Sequence, residues 1–245
     1  AFAFAAAAIQ SGQAVMSVGE SGQSLTLLRR ELQPDGQRLS LAHDGRTYDL
    51  RLPLAGAFQA GNALIAAGLC LAAGESIETV LAALERLEGA PGRLQRVGSA
   101  PRGGEAYVDY AHTPDGLETV LKALRPHTRG RLIVVFGAGG DRDAAKRPLM
   151  GRAAAELADL AIVTDDNPRS EDPAAIRDQV LAGVPGGLNV GDRRAAIHAG
   201  VDMLREGDVL VVAGKGHEQT QTIGDTVHHF DDVAVTAEAL EAPHD

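Results

Sequence analysis

The chain has 245 residues, which is enough for one large domain or two smaller ones. Hydrophobic residues make up 44% of the sequence and aromatic residues only 3%, so a packed core must rest on aliphatic side chains. The net charge of −10 argues against nucleic acid as a partner, because phosphate backbones bind basic surfaces. An anionic small molecule could still bind in a local basic pocket.

The single cysteine, Cys70, has no partner for an internal disulfide bond. We expect a cytoplasmic monomer in which Cys70 is a small buried apolar residue. The amino-terminal run AFAFAAAAIQ is too short to span a membrane and has no basic leader. Because it begins without methionine and without a helix cap, we expect Ala1 to be the boundary of a fragment.

The first part of the chain, up to about Leu54, has the pattern of antiparallel β-hairpins. Short alternating stretches are separated by turn sequences at Pro34–Gly36 and Asp44–Gly45. Turn sequences of this kind between alternating stretches predict a small antiparallel sheet.

After Gly56 the apolar spacing changes to that of helices. The Ala- and Leu-rich segment Ala63–Ala73 predicts one helix, and Ser76 is suited to cap a second. Ala90-Pro91-Gly92 then interrupts the pattern. We therefore predict a domain boundary there, with domains at residues 1–90 and 91–245.

The second part alternates strand and helix, which predicts an α/β fold with a Rossmann-like, mostly parallel sheet. Three helices have capping residues, at Thr113, Asp172 and Asp192, and two of these precede proline. The predicted strands are Ala106–Val108, Leu132–Phe136, Ala161–Thr164, Leu188–Val190 and Val209–Val212.

Polar and glycine-rich segments follow four of these strands. Ligands of open parallel sheets bind beyond the carboxyl ends of the strands, so we expect the four segments to form one site. They are Asp109–His112, Gly137–Asp143, Asp165–Arg169 and Gly214–Glu218.

Two familiar nucleotide-binding motifs are not matched. The loop at Gly137 has Arg142 where a dinucleotide fingerprint has its third glycine, so it is equally well read as a tight strand-to-helix turn. Lys215 is followed by glycine, whereas a P-loop lysine is followed by serine or threonine. The 245 residues contain no P-loop.

The segment Asp166-Asn167-Pro168-Arg169 is suited to bind a carboxylate. Pro168 stiffens the backbone, Asn167 offers a donor and an acceptor, and Arg169 offers a rigid fork of donors. The alternative is a capped turn in which Asp166 and Arg169 pair locally. Both interpretations remain open from spacing alone.

Other polar residues also allow two interpretations. Glu218 could receive an ammonium group or could be a solvated loop carboxylate, and a lone His112 would more often form a structural hydrogen bond. The spacing of a carboxyl-terminal His and Asp group matches no standard zinc pattern, so we assign no metal site there. That group is His217, His228, His229, Asp231 and Asp232.

Five ordered motifs together resemble the Mur ligases, from about Gln13 to the end, and within that family the branch that adds meso-diaminopimelate. The motifs are Pro91–Val97, Asp109–Asp115, Gly139–Asp143 with Lys146–Pro148, Asp166–Arg169 and Gly214–Glu218. The resemblance implies that residues 1–90 are the end of the family's central ATP-binding domain. Residues 91–245 are then the domain that binds the incoming amino acid.

The resemblance also implies roles for individual residues. Asn167 and Arg169 would hold the far carboxylate of meso-diaminopimelate, and the nucleotide would lie near Arg93, Asp109 and Asn62. The implied meso-diaminopimelate site is Arg142, Asp166, Asn167, Pro168, Arg169, Gly214 and Glu218. The implied ATP contacts are Asn62, Arg93, Asp109 and His112. Gln59 stands where the family often has asparagine, which affects only the fine geometry at the adenine.

The implied reaction uses ATP and Mg²⁺ to activate the D-glutamate carboxylate of UDP-MurNAc-L-Ala-D-Glu as an acyl phosphate, which the amine of diaminopimelate attacks. The family's P-loop and magnesium-holding carbamylated lysine would lie upstream of Ala1. We therefore assign no catalytic residue and expect no turnover by this chain alone. The alternatives are a lysine-adding Mur ligase, a folate-and-glutamate ligase, and a non-catalytic Rossmann-like metabolite-binding module.

Overall fold

The computed structural model describes residues 7–242, so the start at Ala1 lies outside the described residues. The chain divides into two compact units. The first comprises Ala1–Pro53 and Ala57–Leu87, and the second comprises Leu54–Gly56 and Glu88–Asp245. Within residues 7–242, every helix falls short of the length and apolar character needed to cross a bilayer.

The first unit contains the predicted hairpins. Its four-stranded sheet has the order β1 (Val18–Gly19), β2 (Leu25–Gln33), β3 (Gly36–His43) and β4 (Arg46–Leu52). Strands β2, β3 and β4 are antiparallel neighbours, and β1 pairs with β2 in parallel. The two predicted turns connect β2 to β3 and β3 to β4, as expected from their Asp-Gly sequences.

The two predicted helices of this unit are α1 (Ala57–Ala72) and α2 (Ile77–Leu84). Helix α2 begins as predicted, because the Ser76 hydroxyl accepts a hydrogen bond from the Thr79 N–H. Helix α1 begins earlier than predicted, since its buried stripe already includes Gln59 and Ala60. The expectation that Cys70 is buried is wrong: it lies off that stripe and is exposed.

The second unit alternates strands and helices along the chain. Its elements are β5 (Gln95–Ser99), β6 (Glu105–Asp109), α3 (Pro114–Leu124), β7 (Leu132–Phe136), α4 (Lys146–Leu157), β8 (Leu160–Val163), α5 (Pro173–Leu181), β9 (Leu188–Asn189), α6 (Arg193–Asp202), β10 (Val209–Ala213), β11 (Thr220–Ile223), β12 (Thr226–His229) and α7 (Asp232–Glu241). Thr113, Asp172 and Asp192 cap α3, α5 and α6 as predicted.

The main sheet has the strand order β5-β6-β10-β7-β8-β9. The neighbouring strands β6, β10, β7, β8 and β9 all pair in parallel, and β5 pairs antiparallel with β6 at one edge. The predicted α/β fold with a mostly parallel sheet is confirmed. The pattern did not predict β5, α4, the β11–β12 hairpin or α7.

The central strands are buried on both faces, which is why they read as unbroken apolar runs. In β7, Leu132, Val134 and Phe136 pack with α3, α4 and α5, whereas Ile133 and Val135 pack with α6 and α7. Successive side chains of a strand point to opposite faces, so one segment supplies both cores. The helix connections change faces after β9, and this change leaves a crevice at the carboxyl edge of the sheet.

A buried ion pair joins α6 to α7 beneath that edge. The Arg193 guanidinium donates to both carboxylate oxygens of Asp232, at 2.8 and 2.6 Å, and both side chains have 0% exposure. Arg193 also donates to the Ala213 carbonyl at 3.1 Å, which ties this pair to the end of β10. Asp231 caps α7. Asp231 and Asp232, which stand near the carboxyl-terminal histidines in the sequence, therefore both have structural partners.

We expect Asp232→Ala to destabilise the second unit by about 3–5 kcal/mol, because Arg193 would be left as a buried unpaired charge. Glu238→Ala is a matched control, since it removes the exposed Arg194–Glu238 pair between the same two helices and should leave stability nearly unchanged. Urea unfolding of both variants measures the difference. Equal, small effects would contradict the role assigned to the buried pair.

Candidate functional site

The four predicted loops meet at the carboxyl edge of the sheet in the second unit. They follow β6, β7, β8 and β10 and enclose a cavity of about 290 Å³. The structure thus places together the polar segments whose convergence the strand order predicts. The cavity is lined by Tyr110, His112, Thr113, Gly139, Arg142, Lys146, Asp166, Asn167, Arg169, Gly214 and Glu218.

Glycines allow the loops to pack this closely. A Cβ atom at Gly140 would lie 1.9 Å from the Pro168 carbonyl oxygen, and one at Gly137 would lie 2.3 Å from the Thr164 carbonyl oxygen. The loop after β7 therefore rests directly on the backbone of the loop after β8. This contact between the two loops requires glycine at both positions.

The same two loops are clamped by a buried arginine. Arg147, which is 1% exposed, donates to both carboxylate oxygens of Glu171 at 2.8 Å and to the Gly139 carbonyl at 3.2 Å. The Asp141 N–H also donates to Glu171. The Arg147 and Asp141 hydrogen bonds lower the pKa of Glu171 to about 2, so this clamp holds its charge at neutral pH.

The Asn167 side chain has a fixed orientation. Its Oδ1 accepts hydrogen bonds from Lys215 Nζ at 3.0 Å and from the Thr222 N–H at 2.9 Å. An amide nitrogen could not accept from these two donors, so the oxygen must face them. The Asn167 NH₂ group has no hydrogen-bond partner among residues 7–242, and Asn167 lines the cavity.

Arg169 adopts a backbone conformation that side chains rarely occupy. Its φ is +51°, and a β-bridge to Ile223 and a bond from its N–H to the Thr222 carbonyl hold it there. A non-glycine residue in this region costs roughly 1 kcal/mol, so the backbone alone does not explain an arginine at this position. The side chain donates to the Gly140 carbonyl at 2.7 Å.

The alternative of a local Asp166–Arg169 pair is wrong. Asp166 instead lies 3.7 Å from Lys215 Nζ, and Arg169 forms no salt bridge with any carboxylate of the described residues. Among the residues that the structure describes, the Arg142 side chain bonds only to the Asp141 carbonyl, and that of Lys146 only to the His112 carbonyl. Burial lowers the pKa of Lys146, although Asp166 and Asp143 oppose the shift. Three cations of the cavity thus lack a carboxylate partner within the described part of the chain.

The opposite charge comes from Glu218. The Tyr110 hydroxyl donates to its carboxylate at 3.3 Å, and burial together with Glu218 raises the pKa of Tyr110. Glu218 is half-buried, so the alternative of a freely solvated carboxylate does not describe it. The Arg93 guanidinium lies 4.7 Å from the centre of the Tyr110 ring. The cavity therefore presents both signs of charge.

Gly214 and Asp166 meet on the floor of the cavity. A Cβ at Gly214 would lie 2.5 Å from Asp166 Oδ2, and its φ is +127°, so only glycine fits there. The Gly214 N–H donates to the Asp109 carbonyl at 3.1 Å. The carbonyl oxygen of Gly214 is therefore the group that it can offer to a ligand.

The residues implied as ATP contacts are divided between the units. Asp109 accepts from the Leu94 and Ala111 N–H groups at 2.7 and 2.8 Å, and burial raises its pKa against those bonds. His112 Nδ1 lies 2.8 Å from the Tyr110 carbonyl, so its ring is a structural donor. Asn62 belongs to α1 of the first unit, where its amide donates to Gln59 Oε1 at 3.5 Å.

Residues 92–216, half of the chain and most of the cavity, match the family model described as Mur ligase, glutamate ligase domain. The chain belongs to the Mur ligase family. This confirms the resemblance drawn from the five motifs. Two curated relatives and one solved structure within this family are similar over nearly all of the chain.

The two curated relatives are UDP-N-acetylmuramoyl-L-alanyl-D-glutamate–2,6-diaminopimelate ligases. The protein from Caulobacter vibrioides is 68% identical over 97% of this chain and 49% of its own length. The one from Mesorhizobium japonicum is 54% identical over 94% of this chain and 48% of its own. A solved ligase structure of the same description is 34% identical with a TM-score of 0.79, over 98% of this chain and 51% of that one. The chain spans about half the length of the curated relatives it matches.

Sequence reasoning missed four residues that shape the site. Lys146 and Tyr110 line the cavity, Lys215 orients Asn167, and Arg147 clamps two loops. Each stands within or beside a motif quoted for the resemblance. Their roles depend on partners 24 or more positions away, such as Glu171 for Arg147 and Asn167 for Lys215, so local spacing carries no signal for them.

We expect Gly140→Ala to displace the loop after β8, because a Cβ there would overlap the Pro168 carbonyl at 1.9 Å. Backbone in direct contact cannot yield as a flexible side chain could, so the melting temperature should fall by several degrees, corresponding to about 1–3 kcal/mol. Gly61→Ala is the control, because a Cβ at that helical position meets nothing within 4 Å. A fall no larger than that of the control would contradict this account of the loops.

The Glu171 clamp should make stability depend on pH. Its pKa is about 2 in the folded chain against 4.5 ordinarily, so its contribution is complete above about pH 4.5 and is lost as the pH falls toward 2. The stability difference between wild type and Glu171→Gln should therefore shrink between pH 6 and pH 3. Urea midpoints across this range measure it. A constant difference would show that the charge of Glu171 is not what holds the loops.

Proposed function

We propose that this chain is the amino-acid-binding half of an ATP-dependent ligase that adds meso-diaminopimelate to UDP-MurNAc-L-Ala-D-Glu. The proposal covers the cytoplasmic step of peptidoglycan synthesis in which a D-glutamate carboxylate, activated as an acyl phosphate, is attacked by an amine. The new C–N bond forms as the phosphate leaves. The names of the two curated relatives support this assignment.

The observation that carries the proposal is the distribution of charge in the cavity. Arg169, Arg142 and Lys146 have no carboxylate partner among the described residues, whereas Glu218 offers a carboxylate in the same cavity. Meso-diaminopimelate carries two carboxylates and two amines. A site for it needs unpaired cations for the carboxylates and hydrogen-bond acceptors for the amines.

Within this proposal each group of the ligand has a partner. Arg169 and the free NH₂ of Asn167 take the far carboxylate, and Arg142 takes the near one. Glu218 and the Gly214 carbonyl receive ammonium groups. Asp166 and Pro168 support this set through their contacts with Lys215 and Gly140.

A lysine-adding ligase fits this cavity less well. At its far end lysine has only an ammonium group, whereas diaminopimelate has both a carboxylate and an amine. Arg169 would then be left without an anion, beside a like charge. Glutamate has a second carboxylate but no second amine, so a folate-and-glutamate ligase would leave Glu218 without that second ammonium group.

The first unit would be the carboxyl-terminal part of the central ATP-binding domain, and the second unit the domain that binds the amino acid. In the second unit, Arg93, Asp109 and His112 are the proposed nucleotide contacts. Among residues 7–242, no group of three or more His, Cys, Asp or Glu side chains could hold a metal ion. The described residues thus offer Mg²⁺ no such group of ligands. Because the sequence has no P-loop, we expect this chain alone not to turn over.

We expect Arg169→Ala to weaken meso-diaminopimelate binding by about tenfold to a hundredfold, since a charge-assisted hydrogen bond is lost. Isothermal titration of the chain with meso-diaminopimelate and with L-lysine measures this. Wild type should prefer meso-diaminopimelate, and Arg169→Ala should lose most of that preference while keeping its melting temperature.

Arg152→Ala is the matched control, because Arg152 is an exposed arginine of α4 outside the cavity lining. It changes the net charge equally and should bind as wild type does. Equal binding of meso-diaminopimelate and L-lysine by wild type would contradict the proposal. So would an Arg169→Ala variant that retains full preference.

A further inference from the structure

Lys215 is a fully buried lysine that no step of the proposed reaction uses. Its side chain has 0% exposure, and a single residue, Gly214, separates it from the end of β10. Burial of an ammonium group is costly unless each N–H has an acceptor. Three oxygens surround its Nζ: Asn167 Oδ1 at 3.0 Å, the Thr220 carbonyl at 2.8 Å and Asp166 Oδ1 at 3.7 Å.

The bond to Asn167 decides which end of that amide faces the cavity. Lys215 Nζ has only hydrogens to offer, so the atom opposite it must be the oxygen. The Thr222 N–H imposes the same choice from β11 at 2.9 Å. Two donors on one oxygen leave the NH₂ group as the part of Asn167 available to a ligand.

The consequence is a choice between ligand groups. An NH₂ group donates, so it suits a carboxylate and opposes an ammonium. With the amide reversed, an oxygen would face the cavity and would suit the ammonium of lysine instead. The positively charged Lys215 ammonium, which donates to the amide oxygen, also polarises the amide and strengthens its N–H donors.

We propose that Lys215 is a positioning residue that, together with the Thr222 N–H, fixes the Asn167 amide and thereby makes the cavity select a carboxylate over an ammonium at the far end of the amino acid. This inference rests on the proposed function. Lys215 acts through Asn167 and does not touch the ligand. Its removal should change the preference between ligands more than the overall fold.

The first test needs no ligand. A carbonyl carbon shifts in the NMR spectrum when it loses a hydrogen bond, so Lys215→Met should move the Asn167 side-chain ¹³Cγ resonance upfield. Leu210→Ala is the control for general destabilisation, because Leu210 is fully buried at the opposite end of β10. It should leave that resonance in place. An unmoved ¹³Cγ resonance in Lys215→Met would overturn the inference.

The second test measures selectivity. The ratio of L-lysine to meso-diaminopimelate dissociation constants should fall by about tenfold in Lys215→Met and stay unchanged in Leu210→Ala. If wild type binds neither compound or both equally, the proposed function fails. If wild type prefers meso-diaminopimelate and Lys215→Met keeps the full ratio, only the inference about Lys215 fails.

A third measurement covers the case in which Lys215→Met does not fold. In ¹⁵N-labelled wild type, a buried and hydrogen-bonded ammonium should give a ¹⁵N–¹H signal protected from solvent exchange at pH 6. Assignment by through-space contacts should connect this signal to Thr220 and Asn167. A lysine ammonium at this position that exchanges as fast as exposed ones would overturn the inference.

Discussion

The site depends on one constraint: the ammonium group of Lys215 lies in the interior and must find acceptors there. It finds them on two other segments, at Asn167 after β8 and at Thr220 at the start of β11. These bonds hold the ends of non-adjacent strands at fixed spacing, because losing any one would leave a buried donor without a partner. Burial lowers the pKa of Lys215 while Asp166 raises it, so the carboxylate helps to keep the lysine charged.

Around this centre several independent contacts hold the loops together. Gly140 lies against Pro168, Arg147 clamps Glu171, and the Arg193–Asp232 pair supports the end of β10. Such a scaffold can hold Arg169 in a left-handed backbone conformation that it would not adopt alone. Cations that such contacts hold in place lose less conformational entropy when an anionic ligand binds.

The sequence predicted the sheet and the meeting of the four polar loops well, because both depend on local patterns. Unbroken apolar runs marked the strands, and Thr113, Asp172 and Asp192 marked helix starts. Helix α4 has no capping side chain, and β5 is a short edge strand, so neither left a local signal. The Asp166–Arg169 pairing was undecidable from spacing, since the partner that Asp166 takes, Lys215, lies far along the chain. Cys70 was misjudged because its residue type is usually buried, whereas the helix stripe decides its exposure.

We propose that the cavity of the second unit holds a dicarboxylic diamino acid. A crystal structure of the chain grown with meso-diaminopimelate tests it most directly. We expect density for the amino acid with one carboxylate on Arg169 and the Asn167 NH₂ group, and an ammonium on Glu218. Density with an ammonium facing Arg169, or a ligand bound outside the residues that line the cavity, would contradict it.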